Sequence, residues 1–195
     1  LRFFGRNIDQ HEIAQLANTT AKGGTSSKDM IEGLRSIARS FDIKVNSHYR
    51  LDYGEYEDLI DDYNREAEDM GKAVIAIERH VNLLSFFQKM SPEVLLACRG
   101  EKSSDRSRFY ATVKEHIDTG VPLVWVVIVG IVEEPPLTPQ VYGHMRMIVG
   151  YNDRNKEILY SDSWGRGHEL KRFPLQEAWS ITTGYNSVHP KGIRI

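Results

Sequence analysis

The chain has 195 residues, a hydrophobic share of 41%, a net charge of -2 and a pI of about 6.4. This length suits one domain with a substantial core. The near-neutral charge, without a cluster of Lys and Arg, argues against a nucleic-acid-binding protein, and no apolar run reaches the roughly 18 residues that a membrane helix needs.

The N-terminal part predicts helices followed by a short strand. Leu1–Gly5 has the pattern of a helix end with a glycine cap, so we expect a helix that starts before Leu1. Asp9 has the spacing of a capping box and begins the first complete helix. Ser26 or Ser27 is expected to cap a second helix, and Ile43–Val45 is expected to be a short strand.

The middle of the chain is helical and acidic. A helix from about Glu55 is predicted by apolar residues at helical spacing, namely Tyr56, Leu59, Ile60, Tyr63, Ala67 and Met70. Its acidic face is typical of a solvated surface, with a site for basic substrates as the alternative. Gly71 is expected to break this helix before a segment through Ile77–Leu84, Pro92 to begin another, and Gly120 to end the last one.

The C-terminal part predicts a sheet. Val121–Val129 lacks polar alternation and is expected to be a strand buried on both faces. Further predicted elements are a proline-rich loop (Glu133–Pro139), two strands (Gly143–Tyr151 and Ile158–Ser161) around a polar turn (Asn152–Lys156), a short strand near Leu170, a helical turn (Pro174–Trp179) and a tail. Helices that precede a sheet predict the α+β class.

His144 and Asp162 are the candidate catalytic residues. His144 opens one strand of the predicted hairpin and Asp162 closes the other, so both are expected at one end of a sheet. A thiol with an ordinary pKa of about 8.5 needs a base to form the thiolate at neutral pH. An imidazole is such a base when a carboxylate accepts its other N–H and fixes its orientation. Trp164 is expected to shield the pair from water, with Gly143 at the adjoining substrate-binding position.

These residues also carry a family resemblance. Asp162-Ser163-Trp164-Gly165 resembles the Asn-Ser-Trp-Gly motif of papain-like cysteine peptidases, and Gly143-His144 with Ile148-Val149-Gly150-Tyr151 is similar to their histidine strand. The combination most resembles the bacteriocin-processing (double-glycine leader) peptidases and their bacterial relatives, which use Cys, His and Asp. Gly120-Val121-Pro122 resembles the strand that this family places before its histidine.

The resemblance implies a papain-like α+β domain over residues 1–195, with 52–104 as a helical elaboration. It implies a peptide or protein substrate and a bacterial, exported or periplasmic setting. It also implies a nucleophilic Cys and an oxyanion-hole Gln before Leu1, because Phe3-Phe4-Gly5 resembles the end of the nucleophile helix. No cofactor or metal is predicted, since no His or Cys partner stands at ligand spacing from His80 or His116.

The nucleophile leaves alternatives open. Cys98 is the only cysteine of the chain, which excludes an internal disulfide and multi-cysteine metal sites. It lies late in a predicted helix, where the dipole opposes a thiolate, so a buried structural role is favoured. One alternative function is an inactive peptidase-like domain that binds peptides or a partner protein. Another is an acyl transferase with the same triad.

Overall fold

A six-stranded antiparallel sheet with helices on both faces forms the molecule. The computed structural model describes residues 4–5, 7–22, 24–76, 83–135, 137 and 140–195. The helices are α1 (Gln10–Leu16), α2 (Ser27–Ile37), α3 (Tyr53–Asp69), α4 (Leu83–Lys89), α5 (Pro92–Glu101), α6 (Ser103–Asp118) and α7 (Leu175–Ser180). The strands are β1 (Ile43–Arg50), β2 (Leu123–Val129), β3 (Tyr142–Asn152), β4 (Glu157–Ser161), β5 (Lys171–Pro174) and β6 (Thr182–Pro190), in the spatial order β1-β6-β2-β3-β4-β5. The predicted α+β class is confirmed.

Local sequence signals set where the helices begin and end. Asp9, Ser26 and Asp52 each accept a hydrogen bond from a backbone N–H of the following turn, which satisfies one of the free donors there. Ser26 rather than Ser27 is therefore the cap of α2. Pro92 occupies the first helical position of α5, as predicted. Within the described ranges, no helix combines the length and apolar character needed to cross a membrane.

Some predicted helix boundaries are only partly covered. Gly5, Gly71 and Gly120 have φ values of 72°, 64° and 76°, as expected of residues that end helices. Residues 1–3 of the helix end predicted at Leu1–Gly5, and residues 77–82 of the segment predicted at Ile77–Leu84, lie outside the described residues.

The two faces of the sheet are covered by different helices. Trp125 of β2 is fully buried, pairs with Tyr185 of β6, and donates its indole N–H to Thr182 Oγ1 at 2.8 Å. Phe109 of α6 packs edge-on against Tyr185, so α6 covers this face. Because side chains alternate along a strand, Val188 of β6 points to the opposite face, where it packs with α1 and α2.

The tail predicted after Trp179 is wrong: this segment is β6, an inner strand. It lies between β1 and β2 and is largely buried. Its buried polar residues, Asn186, Ser187 and His189, conceal the apolar pattern that predicts a strand. The short strand predicted at Ile43–Val45 is also longer than expected, because β1 pairs with β6 through Arg50.

Gly130 ends β2 in a conformation that other residues rarely adopt. Its φ is 85°, and an added Cβ would collide with the Gln140 carbonyl group. We expect Gly130→Ala to lower the free energy of unfolding by about 2–4 kcal/mol in urea denaturation. Gly143→Ala is the matched control, since an added Cβ there meets nothing within 4 Å. Equal stability of the two variants would show that this turn tolerates a side chain.

A group of histidines lies where β1 packs against α6. His48 Nε2 is 2.9 Å from Ser187 Oγ, and its ring meets His116 edge-on at 4.5 Å between centroids. Burial, and then the charges of His116 and His189, lower the pKa of His48 to about 4. His48 therefore stays neutral in the folded protein at a pH where an unfolded chain, with an ordinary histidine pKa of about 6.5, takes up a proton.

This difference makes stability depend on pH. Because the folded pKa lies below the unfolded one, the stabilisation is complete above about pH 6.5 and is lost as the pH falls towards 4. We expect His48→Gln to reduce the drop in Tm between pH 7.5 and pH 5, measured by circular dichroism. The exposed His11→Gln should retain the full drop. An unchanged drop in His48→Gln would assign the acid sensitivity to other groups.

Candidate active site at the end of the β3–β4 hairpin

The register of β3 and β4 brings His144 and Asp162 together. Met147 pairs with Ser161 and Ile148 with Tyr160, and the register shifts by one residue between Ile148 and Gly150. Continuing the pairing past Ser161 sets Asp162 across from Arg146, whose side chain shares a face with that of His144. Without the bulge, Asp162 would lie across from Met147, which points to the other face.

His144 and Asp162 form a direct hydrogen bond. His144 Nε2 lies 2.7 Å from Asp162 Oδ1, and the side chains are 16% and 0% exposed. The backbone N–H of Ser163 donates to the same oxygen at 2.7 Å. With Asp162 ionised, Nε2 carries the hydrogen, so the neutral imidazole has its lone pair on Nδ1. The pair thus offers a base whose acceptor nitrogen faces away from the carboxylate.

Arg146 holds the second oxygen of Asp162. Its Nε donates to Asp162 Oδ2 at 2.8 Å, and its Nη2 donates to both oxygens of Glu134 at 2.9 and 2.8 Å. Tyr160 donates its hydroxyl to Glu134 Oε2 at 2.8 Å. The Arg146 side chain is fully buried, and its Nη1 finds no acceptor among the described residues. A buried ionic chain therefore continues from His144 through Asp162 and Arg146 to Glu134.

Sequence reasoning missed Arg146 and Glu134. Arg146 had a usable signal, since it stands two residues after His144 on a strand and must share its face. Glu134 had none, because it lies in an irregular loop far from β4 in the sequence.

The network controls the ionisation of its members. Burial pushes the pKa of Asp162 up, but the hydrogen bond and charge of His144, together with Arg146, outweigh it and hold that pKa below its usual range. Burial raises the pKa of Tyr160, and Glu134 raises it further against the opposing effect of Arg146. Asp162 is therefore an anion and Tyr160 a protonated donor at neutral pH.

Trp164 contacts the pair directly, and Gly143 precedes His144 on β3. The Trp164 ring stacks on the His144 ring with centroids 4.3 Å apart and planes 13° apart. The half-buried His168 ring lies nearly perpendicular to the Trp164 ring, with centroids 5.5 Å apart. Gly143 is exposed, with open space where a side chain would be. The structure thus groups all four predicted site residues at one end of the hairpin.

Cys98 lies in α5 with a buried thiol that donates to the Leu95 carbonyl oxygen at 3.5 Å. Burial raises its pKa to about 11, although Arg99 opposes this. Its thiol is therefore protonated at neutral pH and is a poor nucleophile.

A cavity of about 360 Å³ lies beside the site. Its walls come from the end of β2, the following loop and the start of β3, and include Gly130, Glu134, Leu137 and Tyr142. Tyr142 also meets the His144 ring edge-on at 6.5 Å. The cavity therefore adjoins the buried ionic chain at Glu134, and its wall includes Tyr142, the neighbour of the His144 ring. Within the described ranges, no three His, Cys, Asp or Glu side chains are grouped to hold a metal ion.

Comparison with known proteins gives one family. The model of the Peptidase_C39-like family matches residues 1–187. No curated protein and no solved structure matches the chain.

Proposed function

Because the chain belongs to the Peptidase_C39-like family, we propose that it hydrolyses peptide bonds with His144 as the base and Asp162 as the residue that orients it. The observation that carries this proposal is the hydrogen bond of 2.7 Å between His144 Nε2 and Asp162 Oδ1. It leaves Nδ1 as the acceptor of a proton. The proposed nucleophile is a cysteine N-terminal to Leu1, as in the family that the motifs resemble.

In the proposed reaction, His144 Nδ1 takes the proton of the cysteine thiol. The thiolate attacks the substrate carbonyl carbon, and the tetrahedral intermediate collapses to an acyl-thioester as Nδ1–H protonates the departing amine. His144 then deprotonates a water molecule, which attacks the thioester and releases the thiol. Asp162 stabilises the imidazolium that forms in each half of the reaction.

Trp164 and Gly143 have supporting roles in this proposal. The indole stacked on His144 excludes water from the His144–Asp162 hydrogen bond, which strengthens it. Gly143 leaves room for the substrate main chain beside His144. The cavity of about 360 Å³ next to Tyr142 would receive a substrate side chain.

A thiol-reactive peptide probe on the full-length protein tests the proposal. We expect one probe molecule per protein at neutral pH, and loss of this labelling in His144→Ala. His11→Ala, a substitution on the exposed surface of α1, is the matched control and should label like the parent. Labelling that persists in His144→Ala would assign the reaction to another base.

A second candidate function is peptide binding without hydrolysis. It is favoured by the state of Cys98, whose burial and pKa of about 11 leave residues 1–195 without a reactive thiol. If the full-length protein binds an unreactive version of the same peptide but is not labelled by the probe, this second function is supported and the first is contradicted.

A further inference from the structure

The proposed base is connected to two charged residues that the family resemblance does not assign. Asp162 touches His144 with one oxygen and Arg146 with the other. Arg146 in turn shares two hydrogen bonds with Glu134. All three ionic side chains are at most 6% exposed, so bulk water screens their charges weakly.

Arg146 restricts the orientation of the Asp162 carboxylate. A carboxylate bound at one oxygen can rotate about its terminal torsion, which is broad and two-fold. Here Oδ2 is bound to the Arg146 Nε. The guanidinium itself packs against two rings, 4.7 Å from the Tyr160 ring centroid and 5.5 Å from that of Trp164. Because the guanidinium is fixed by this packing, Oδ1 is directed at His144 Nε2.

Arg146 alone would disfavour a proton on His144. Its positive charge would neutralise Asp162 and remove the attraction that an imidazolium needs. Glu134 restores that attraction, since the two carboxylates and one guanidinium carry a net negative charge. A proton on His144 then makes the whole buried group neutral, which a low-dielectric site favours.

We propose that Arg146 is a positioning residue for Asp162 and that Glu134 offsets the Arg146 charge, so that the group stabilises the protonated form of His144. This inference rests on the proposed function for its purpose, because a thiolate–imidazolium pair needs a charged imidazole. The titratable or charged side chains that face the His144 ring or its partners in the described residues are Glu134, Tyr142, Arg146, Tyr160, Asp162 and His168.

The test is an NMR titration of the His144 ring in the 195-residue chain. The His144 signal is assigned as the one that disappears in His144→Ala. In Glu134→Gln the midpoint should move to lower pH, because the charges of the remaining carboxylate and guanidinium cancel. Glu133→Gln removes the same charge from an exposed neighbour and should leave the midpoint in place.

The double variant Arg146→Met/Glu134→Gln separates an electrostatic role from a purely structural one. It removes one positive and one negative charge, so the midpoint should return to that of the parent or lie above it. A purely structural role predicts instead that the double variant deviates at least as far as Glu134→Gln in the same direction. If the His144 midpoint of the double variant lies below that of the unsubstituted protein, the inference is overturned. This outcome decides the matter even if Glu134→Gln alone does not fold.

The readout separates this inference from the proposed function. The titration needs no cysteine, so a failure of peptide-probe labelling leaves its result unaffected. Conversely, labelling that depends on His144 together with an unmoved midpoint in folded Glu134→Gln supports the proposed function and overturns the role of Glu134.

Discussion

Asp162→Asn is expected to lower the rate constant for labelling by the peptide probe by about 10²–10⁴-fold while the protein stays folded. The reason is that each oxygen of the Asp162 carboxylate has a hydrogen-bond donor beside it. Arg146 Nε and His144 Nε2 lie 2.8 and 2.7 Å from its two oxygens. The amide has only one oxygen, and the charged guanidinium competes for it more strongly than the imidazole and the Ser163 N–H do. The amide N–H₂ then faces His144 Nε2, which selects the tautomer with hydrogen on Nδ1 and removes the base.

Two further variants check this explanation. In Asp162→Asn/Arg146→Met the amide is free to turn its oxygen towards His144, so part of the lost labelling rate should return. Asp153→Asn, in the exposed hairpin turn, is the matched control and should label like the parent. The imidazole ¹⁵N shifts report the tautomer directly. An unchanged tautomer in Asp162→Asn would contradict the competition between the two donors.

Arg146→Ala is expected to lower the free energy of unfolding by about 3–5 kcal/mol. The substitution leaves Asp162 and Glu134 as buried carboxylates without their shared partner. It also removes the guanidinium that packs against the rings of Tyr160, Trp164 and Phe173. Breaking one side of a buried ion pair costs far more than removing the pair as a whole, because an uncompensated charge remains.

Urea denaturation measures this effect. Arg65→Ala is the matched control: Arg65 pairs with Asp62 at 3.3 Å, but its side chain is 73% exposed. That exposed pair should contribute below about 1 kcal/mol. If Arg146→Ala is no more destabilising than Arg65→Ala, the buried ionic chain does not stabilise this end of the sheet.

Sequence patterns identified the local parts of the molecule. The helix starts predicted at Asp9 and Pro92 are confirmed, because capping depends on residues within one turn. The His144–Asp162 contact was also accessible, since the two residues are 18 apart on one hairpin. The division into one domain with 52–104 as an elaboration stays a prediction.

Features that depend on contacts between segments far apart in the chain could not be predicted from the sequence. β6 pairs with β1, which precedes it by more than half of the chain, and its polar residues hide its position inside the sheet. The bulge between Ile148 and Gly150 leaves no clear trace in the sequence, yet it decides which side chain Asp162 meets. Glu134 reaches Arg146 only because an irregular loop folds back over the strand.

The sequence by itself determined the α+β class, the hairpin and the residues of the proposed base. The class and the hairpin follow from periodicity and spacing within short segments, where few conformations compete. The proposed base follows from the hairpin spacing together with the resemblance of Asp162-Ser163-Trp164-Gly165 to the papain-like motif. The tertiary structure alone decided that Asp162 is shared between His144 and Arg146, and that Glu134 balances the charge. Such a network depends on the distances and burial of side chains from separate segments, because Coulomb energies become large only where packing excludes water.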